Sequence, residues 1–108
     1  MEKIITGKIY DTEADMAIAF YEVSSNTNNR YYYSERLHMT DDGEFYLHGT
    51  GGYFTHYAVV SEDGSKHPGE DIVLMSMEKA RLWVTSRYGV DLIADHRLAS
   101  MIKAMRMY

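Results

Sequence analysis

Five histidines, ten tyrosines and no cysteine set the terms for any chemistry this 108-residue chain performs. Without a thiol there is no disulfide framework, thiolate zinc site, CxxC redox pair or cysteine nucleophile. His38 and His48 fall on one face of two adjacent predicted strands, with Arg36, Glu44 and Tyr46 around them. His38, His48 and Glu44 could together hold a divalent metal and make a small hydrolase. No HExxH-type spacing accompanies them, and solvated histidines on the outer face of a sheet are the plainer reading. No metal and no cofactor is assigned. His56, His67 and His96 lie apart, in a strand, a Pro-Gly loop and a helix start, and receive no role. Gly49-Thr50-Gly51-Gly52 follows a strand, as a phosphate-binding loop would, but has neither the GK[ST] ending nor a helix immediately after it. Serine and threonine are plentiful without a GxSxG elbow, so no catalytic residue is assigned.

Tyrosine is the compositional oddity. Tyr31-Tyr32-Tyr33 are consecutive, so on a strand two rings share one face and the third points away. One face is expected to pack under helices. The other, with Tyr32, Arg36, His38, Tyr46 and His48, is expected to face solvent. Tyrosine and arginine are enriched at protein-recognition surfaces, which makes these five the candidate partner-binding residues. Arg36 would supply directional hydrogen bonds and Tyr32 and Tyr46 the anchors. Acidic loop residues (Glu62, Asp63, Glu70, Asp71) would compete with nucleic acid for a basic groove. The competing explanation is cross-strand aromatic pairing that only stabilises the sheet. A second functional reading lets the same rings stack single-stranded bases, with Arg97, Lys103 and Arg106 on phosphates. The formal net charge of −5 weighs against a generic basic nucleic-acid binder.

The elements that position these residues read as α+β: an antiparallel meander of four to five strands, then one or two C-terminal helices packed on one face. Residues 1–108 make a single domain, with the sheet in 1–75 and the helical part in 76–108. Lys8-Ile9-Tyr10 is a short strand. Met16 to Val23 is preferred as strand over helix, with Ile18, Phe20 and Met16 sharing a face. Residues 24–29 are a polar loop. Arg30 to Thr40 and Glu44 to His48 form a hairpin. A three-residue loop with left-handed Gly43 pairs Met39 with Phe45, His38 with Tyr46 and Leu37 with Leu47. Tyr53 to Val60 is expected to resume as strand, residues 61–69 form a surface loop, and Asp71 to Met75 reads as a central strand. Ser76 caps a helix that ends before Gly89, with Met77, Ala80, Trp83, Val84 and Tyr88 as its apolar stripe. A second helix is expected from Asp91 or Asp95, and its Met101 and Met105 stripe offers a homodimer seam. No apolar run approaches the roughly 20 residues of a membrane span, and no leader is read at the start. The expected location is the cytoplasm of a bacterial host cell.

Four stretches carry a resemblance: Gly7-Lys8-Ile9-Tyr10-Asp11-Thr12-Glu13-Ala14, the 42–52 run DGEFYLHGTGG, Tyr57-Ala58-Val59, and the 72–83 run IVLMSMEKARLW. Together they resemble a group of small proteins carried on bacterial plasmids, conjugative elements and prophages. That group reads roughly K-x-Y-D-T-E-T-A, G-x-Y-F-L-H-G-E-G-G and P-L-S/T-x-E-E-A-x-x-W. This chain departs from it in lacking the proline before the helix, in Thr50 for Glu, and in its tail beyond Gly89. The resemblance implies a non-enzymatic module that binds and occludes a host defence protein, in the manner of anti-CRISPR inhibitors of Cas effectors.

Overall fold

The computed structural model describes residues 1–23 and 30–89. The expected polar loop at 24–29, the second helix, its dimer seam, His96, Arg97, Lys103 and Arg106 all lie outside the described residues. The fold is α+β, as the patterning indicates. Its centre is a four-stranded antiparallel sheet of β3 (Met16–Val23), β4 (Tyr33–Met39), β5 (Phe45–Gly51) and β8 (Gly69–Met75), in the order β3-β4-β5-β8. Two small hairpins flank it: β1 (Glu2–Ile5) with β2 (Lys8–Asp11), and β6 (Val59–Val60) with β7 (Lys66–His67). One helix, α1 (Met77–Tyr88), follows β8. No helix among the described residues is long and apolar enough to cross a membrane.

The β4–β5 register is the expected one: Met39 pairs with Phe45, His38 with Tyr46 and Leu37 with Leu47. Gly43 sits at φ 85°, the left-handed position that closes a three-residue loop. Alternation then sends Leu37, Phe45 and Leu47 to one face, where they bury Ala80, Trp83 and Val84 of α1. Ser76 starts the helix by accepting a hydrogen bond from the Lys79 N–H at 3.1 Å, and Gly89 ends it. Met77 and Tyr88, the two ends of the expected stripe, remain exposed.

Three expectations about elements are corrected. A bulge between Ala17 and Ala19 breaks period two in β3, so Ile18 and Ala19 both pack toward the helix-side core. Phe20 consequently lies opposite Arg36 on the other face, and does not share a face with Ile18. Residues 53–58 are a chain of turns, not a strand. Thr55 N–H donates to Gly52 O and Ala58 N–H to Thr55 O, which folds this segment back over the sheet. Gly49 makes room for that return, because a Cβ there would stand 1.8 Å from the Tyr57 ring. Finally, β8 is an edge strand and not a central one, and Val73 and Leu74 are exposed on it.

Candidate functional site

The second face of the sheet, opposite α1, carries all five candidate residues, and the structure divides them. The β1–β2 hairpin folds over the half nearest the β4–β5 turn. Thr6 and Gly7, at φ 52° and 79°, form its two-residue turn. Tyr10 is brought edge-on to Tyr46, ring centroids 5.5 Å apart, with Ile5 and Ile72 beside them. Polar clamps hold the hairpin down. Lys3 Nζ meets Asp71 at 2.6 Å, Lys8 Nζ meets Asp42 at 2.7 Å, and the Tyr10 hydroxyl donates to Glu44 at 2.7 Å. Hydrogen bonding to Lys3 and Lys8 holds the Asp71 and Asp42 carboxyls below the usual carboxylate range.

The expectation that Tyr46 and His38 face solvent is therefore corrected: they are 0% and 2% exposed. Their rings stack within 5° of parallel at 5.1 Å. The Tyr46 hydroxyl donates to Asp15 at 2.8 Å, and burial, with that bond, pushes its pKa up. His38 Nδ1 lies 3.2 Å from the Asp15 carbonyl. A carbonyl only accepts, so Nδ1 carries the proton and Nε2 is the bare nitrogen. Nε2 is buried with no hydrogen-bond partner among the described residues. Burial outweighs the Asp15 carbonyl and holds the His38 pKa below its ordinary 6.5. Glu44 is engaged by Lys8 and Tyr10, so the His38, His48 and Glu44 set is not assembled as a ligand cluster. No group of three or more His, Asp or Glu among the described residues is placed to hold a metal ion.

The other half of the face is open. Tyr32, Arg36 and His48 line a groove of about 410 Å³ with Phe20, Glu22, Ser34 and Thr50. The Arg36 guanidinium lies 5.4 Å from the Phe20 ring centroid, a cation held over an aromatic face. Ser34 and Thr50 hydroxyls pair at 3.0 Å, and His48 Nε2 lies 2.8 Å from Glu70. The groove lining holds one carboxylate, Glu22, and one guanidinium, Arg36, beside hydroxyl and imidazole groups. Of the acidic residues given a competing role, Glu70 belongs to this face, Asp71 is held by Lys3, and Glu62 and Asp63 lie in the β6–β7 turn.

Phe20 and Arg36 also line a second opening of about 310 Å³ with Ala17, Ile18, Ala19 and Tyr88. This is the outer edge of β3, which pairs with no further strand among the described residues. Phe20 N–H donates to the Tyr88 hydroxyl at 2.8 Å, and that hydroxyl donates in turn to Phe20 O. One side chain from the end of α1 thus occupies the place where a neighbouring strand would bond. The bulge hid this from sequence reasoning, because strict alternation put Phe20 on the same face as Ile18.

Sequence reasoning also missed the polar centre of the helix-side core. Glu35, 4% exposed, accepts from the Tyr57 hydroxyl at 2.6 Å and from Trp83 Nε1 at 3.0 Å. Arg87 Nη2 stands 3.5 Å and His56 Nε2 3.6 Å away. Burial and the bond to Glu35 push the Tyr57 pKa up. A buried carboxylate on β4, supplied with donors from the 53–58 turns and α1, ties three segments together. The signal available was Glu35 itself, a charge alternating in phase with Tyr33, Leu37 and Met39. Comparison with protein-family models, with curated proteins and with solved structures yields no match.

Proposed function

We propose that this chain is a non-enzymatic protein-interaction module that takes an extended segment of a partner along the outer edge of β3, which no strand among the described residues occupies. The carrying observation is the Tyr88 hydroxyl bonded to both the N–H and the C=O of Phe20. A strand's outward amide and carbonyl are satisfied there by one exposed, replaceable group. β3 is eight residues long, and its only charge is Glu22. It has no proline or lysine of the kind that blunts unpaired edges. A strand added beside β3 gains main-chain hydrogen bonds in place of the tyrosine, and alternate side chains reach the Phe20, Arg36 and Tyr32 groove. The partner class is the one the resemblance implies, a host defence protein such as a Cas effector, with inhibition by occlusion.

The test uses bacteria that carry a targeting CRISPR–Cas system, scoring phage titre with the full chain expressed. By alternation from Phe20, the Glu22 N–H points away from β4, so Glu22→Pro removes an outward donor and spares the ladder. Wild type and Glu22→Gln are expected to raise the titre, and Glu22→Pro, with unchanged circular dichroism, is expected not to. Equal titres with Glu22→Pro and wild type overturn docking on the β3 edge. No rise with wild type overturns the partner class.

A further inference from the structure

The 53–58 turns, corrected above from a strand, place two aromatic rings beside two cations. Phe54 N–H donates to Arg30 O at 3.0 Å and Gly52 N–H to Tyr32 O at 2.8 Å, which fastens the turn segment to the approach of β4. Arg30, Tyr53, Phe54 and Lys66 line a cavity of about 390 Å³. This volume lies within the roughly 300–1,000 Å³ range of small-ligand sites. Lys66 Nζ stands 5.8 Å from the Phe54 ring centroid, and the Tyr31 and Phe54 rings lie 5.2 Å apart at 31°. Tyr31, Tyr53 and Phe54 are all exposed. Among the described residues no carboxylate lines the cavity, and neither Arg30 nor Lys66 forms an ion pair. In a chain of net charge −5, two unneutralised cations at one cavity mark a local reversal of sign.

We infer that this cavity binds a nucleotide, its base stacked on Phe54 or Tyr53 and its phosphate held between Arg30 and Lys66. The site requires a flat ring joined to an anion over a short span, and a nucleotide supplies both. An aromatic platform favours any base, because every base has a π-face to stack. An arginine guanidinium matches a phosphate bidentately, while lysine adds a point charge. An acidic peptide offers the charge without the flat face. The ligand chemistry is shared by a free mononucleotide and by one nucleotide of a single strand. The cavity has no lining residue in common with the β3-edge groove, so either site can fail without the other.

Titration of the full chain, followed by amide and aromatic NMR shifts, separates these sources. The probes are adenosine monophosphate, a single-stranded oligodeoxyadenylate, adenosine, inorganic phosphate and an acidic peptide. Adenosine monophosphate is expected to shift Tyr53, Phe54 and Lys66 signals, with adenosine and phosphate each at least about ten-fold weaker. Phe54→Ala and Lys66→Ala change exposed side chains, and each is expected to weaken nucleotide binding by about ten-fold or more. Oligodeoxyadenylate binding much tighter than the monophosphate, and weakening steeply with salt, assigns the site to single strands. Comparable affinities assign it to the free nucleotide. Phosphate binding as well as the nucleotide, tighter binding of the acidic peptide, or unchanged affinity in both variants overturns the inference.

Discussion

Tyr46, on β5, and Tyr32, immediately before β4, lie on the same side of one sheet and serve different ends. Tyr46 is sealed by the β1–β2 hairpin, stacked on His38 and bonded to Asp15. Tyr32 stands in an open groove, its hydroxyl 3.4 Å from Glu22. Residue type and strand phase are alike, so the difference comes from what lies above each ring. A short hairpin of residues 2–11 converts half of an amphipathic face into core and leaves the other half wet. Aromatic content on a sheet face is therefore silent about function until the covering layer is known.

The sharpest way to break this contrast is to remove each ring. Tyr46→Ala opens a cavity beneath the hairpin and is expected to cost about 3–5 kcal/mol of unfolding free energy, measured by urea titration. Tyr32→Ala and Arg36→Ala, made on the open half, are expected to stay within about 0.5–1 kcal/mol of wild type. Similar losses on both halves would mean that the groove residues are structural as well.

A second, smaller effect separates the halves by pH. His38 is buried with its pKa held below the ordinary 6.5, among Asp15, Tyr46, His48 and Arg36. On acidification the unfolded chain takes up the histidine proton first. This contribution to stability is therefore complete above pH 6.5 and is lost as the pH falls from there toward the lowered folded value. Melting temperature is expected to fall across that window, and His38→Phe, which keeps a ring against Tyr46, is expected to flatten the fall. An unchanged slope in the variant would place the titration elsewhere.

The smallest effect concerns the β3 edge. Tyr88→Phe removes the hydroxyl that holds Phe20 N–H and C=O, at an exposed position. It is expected to cost no more than about 1 kcal/mol and to speed amide exchange at Phe20. Unchanged exchange at Phe20 would show that the edge is not held by this side chain.

Much of this was legible in the chain itself. Asp41-Asp42-Gly43 sets the β4–β5 register, and Ser76 and Gly89 bound α1, because local turn and cap chemistry leave few alternatives. Three of the five candidate residues, Tyr32, Arg36 and His48, do line one groove. The burial of His38 and Tyr46 was not legible, since periodicity says which residues share a face and not what covers it. The Ile5-Thr6-Gly7-Lys8 stretch held a hairpin signal, two residues ending in glycine between β-prone runs, but strand Ile4-Ile5 is too short to stand out. The bulge at Ile18 moved Phe20 to the open side, and no turn residue announces it. Glu35 was passed over because a lone acid in an alternating strand gives no hint of Trp83, Tyr57 and Arg87 converging on it.

Solvent access to individual rings settles the division of the face most directly. In NMR spectra of the full chain with a soluble paramagnetic agent, Phe20 and Tyr32 ring signals are expected to broaden. Tyr10, Tyr46 and His38 are expected to stay sharp. Broadening of Tyr46 and His38 to the same extent as Tyr32 would contradict a hairpin-covered half and return the whole face to solvent.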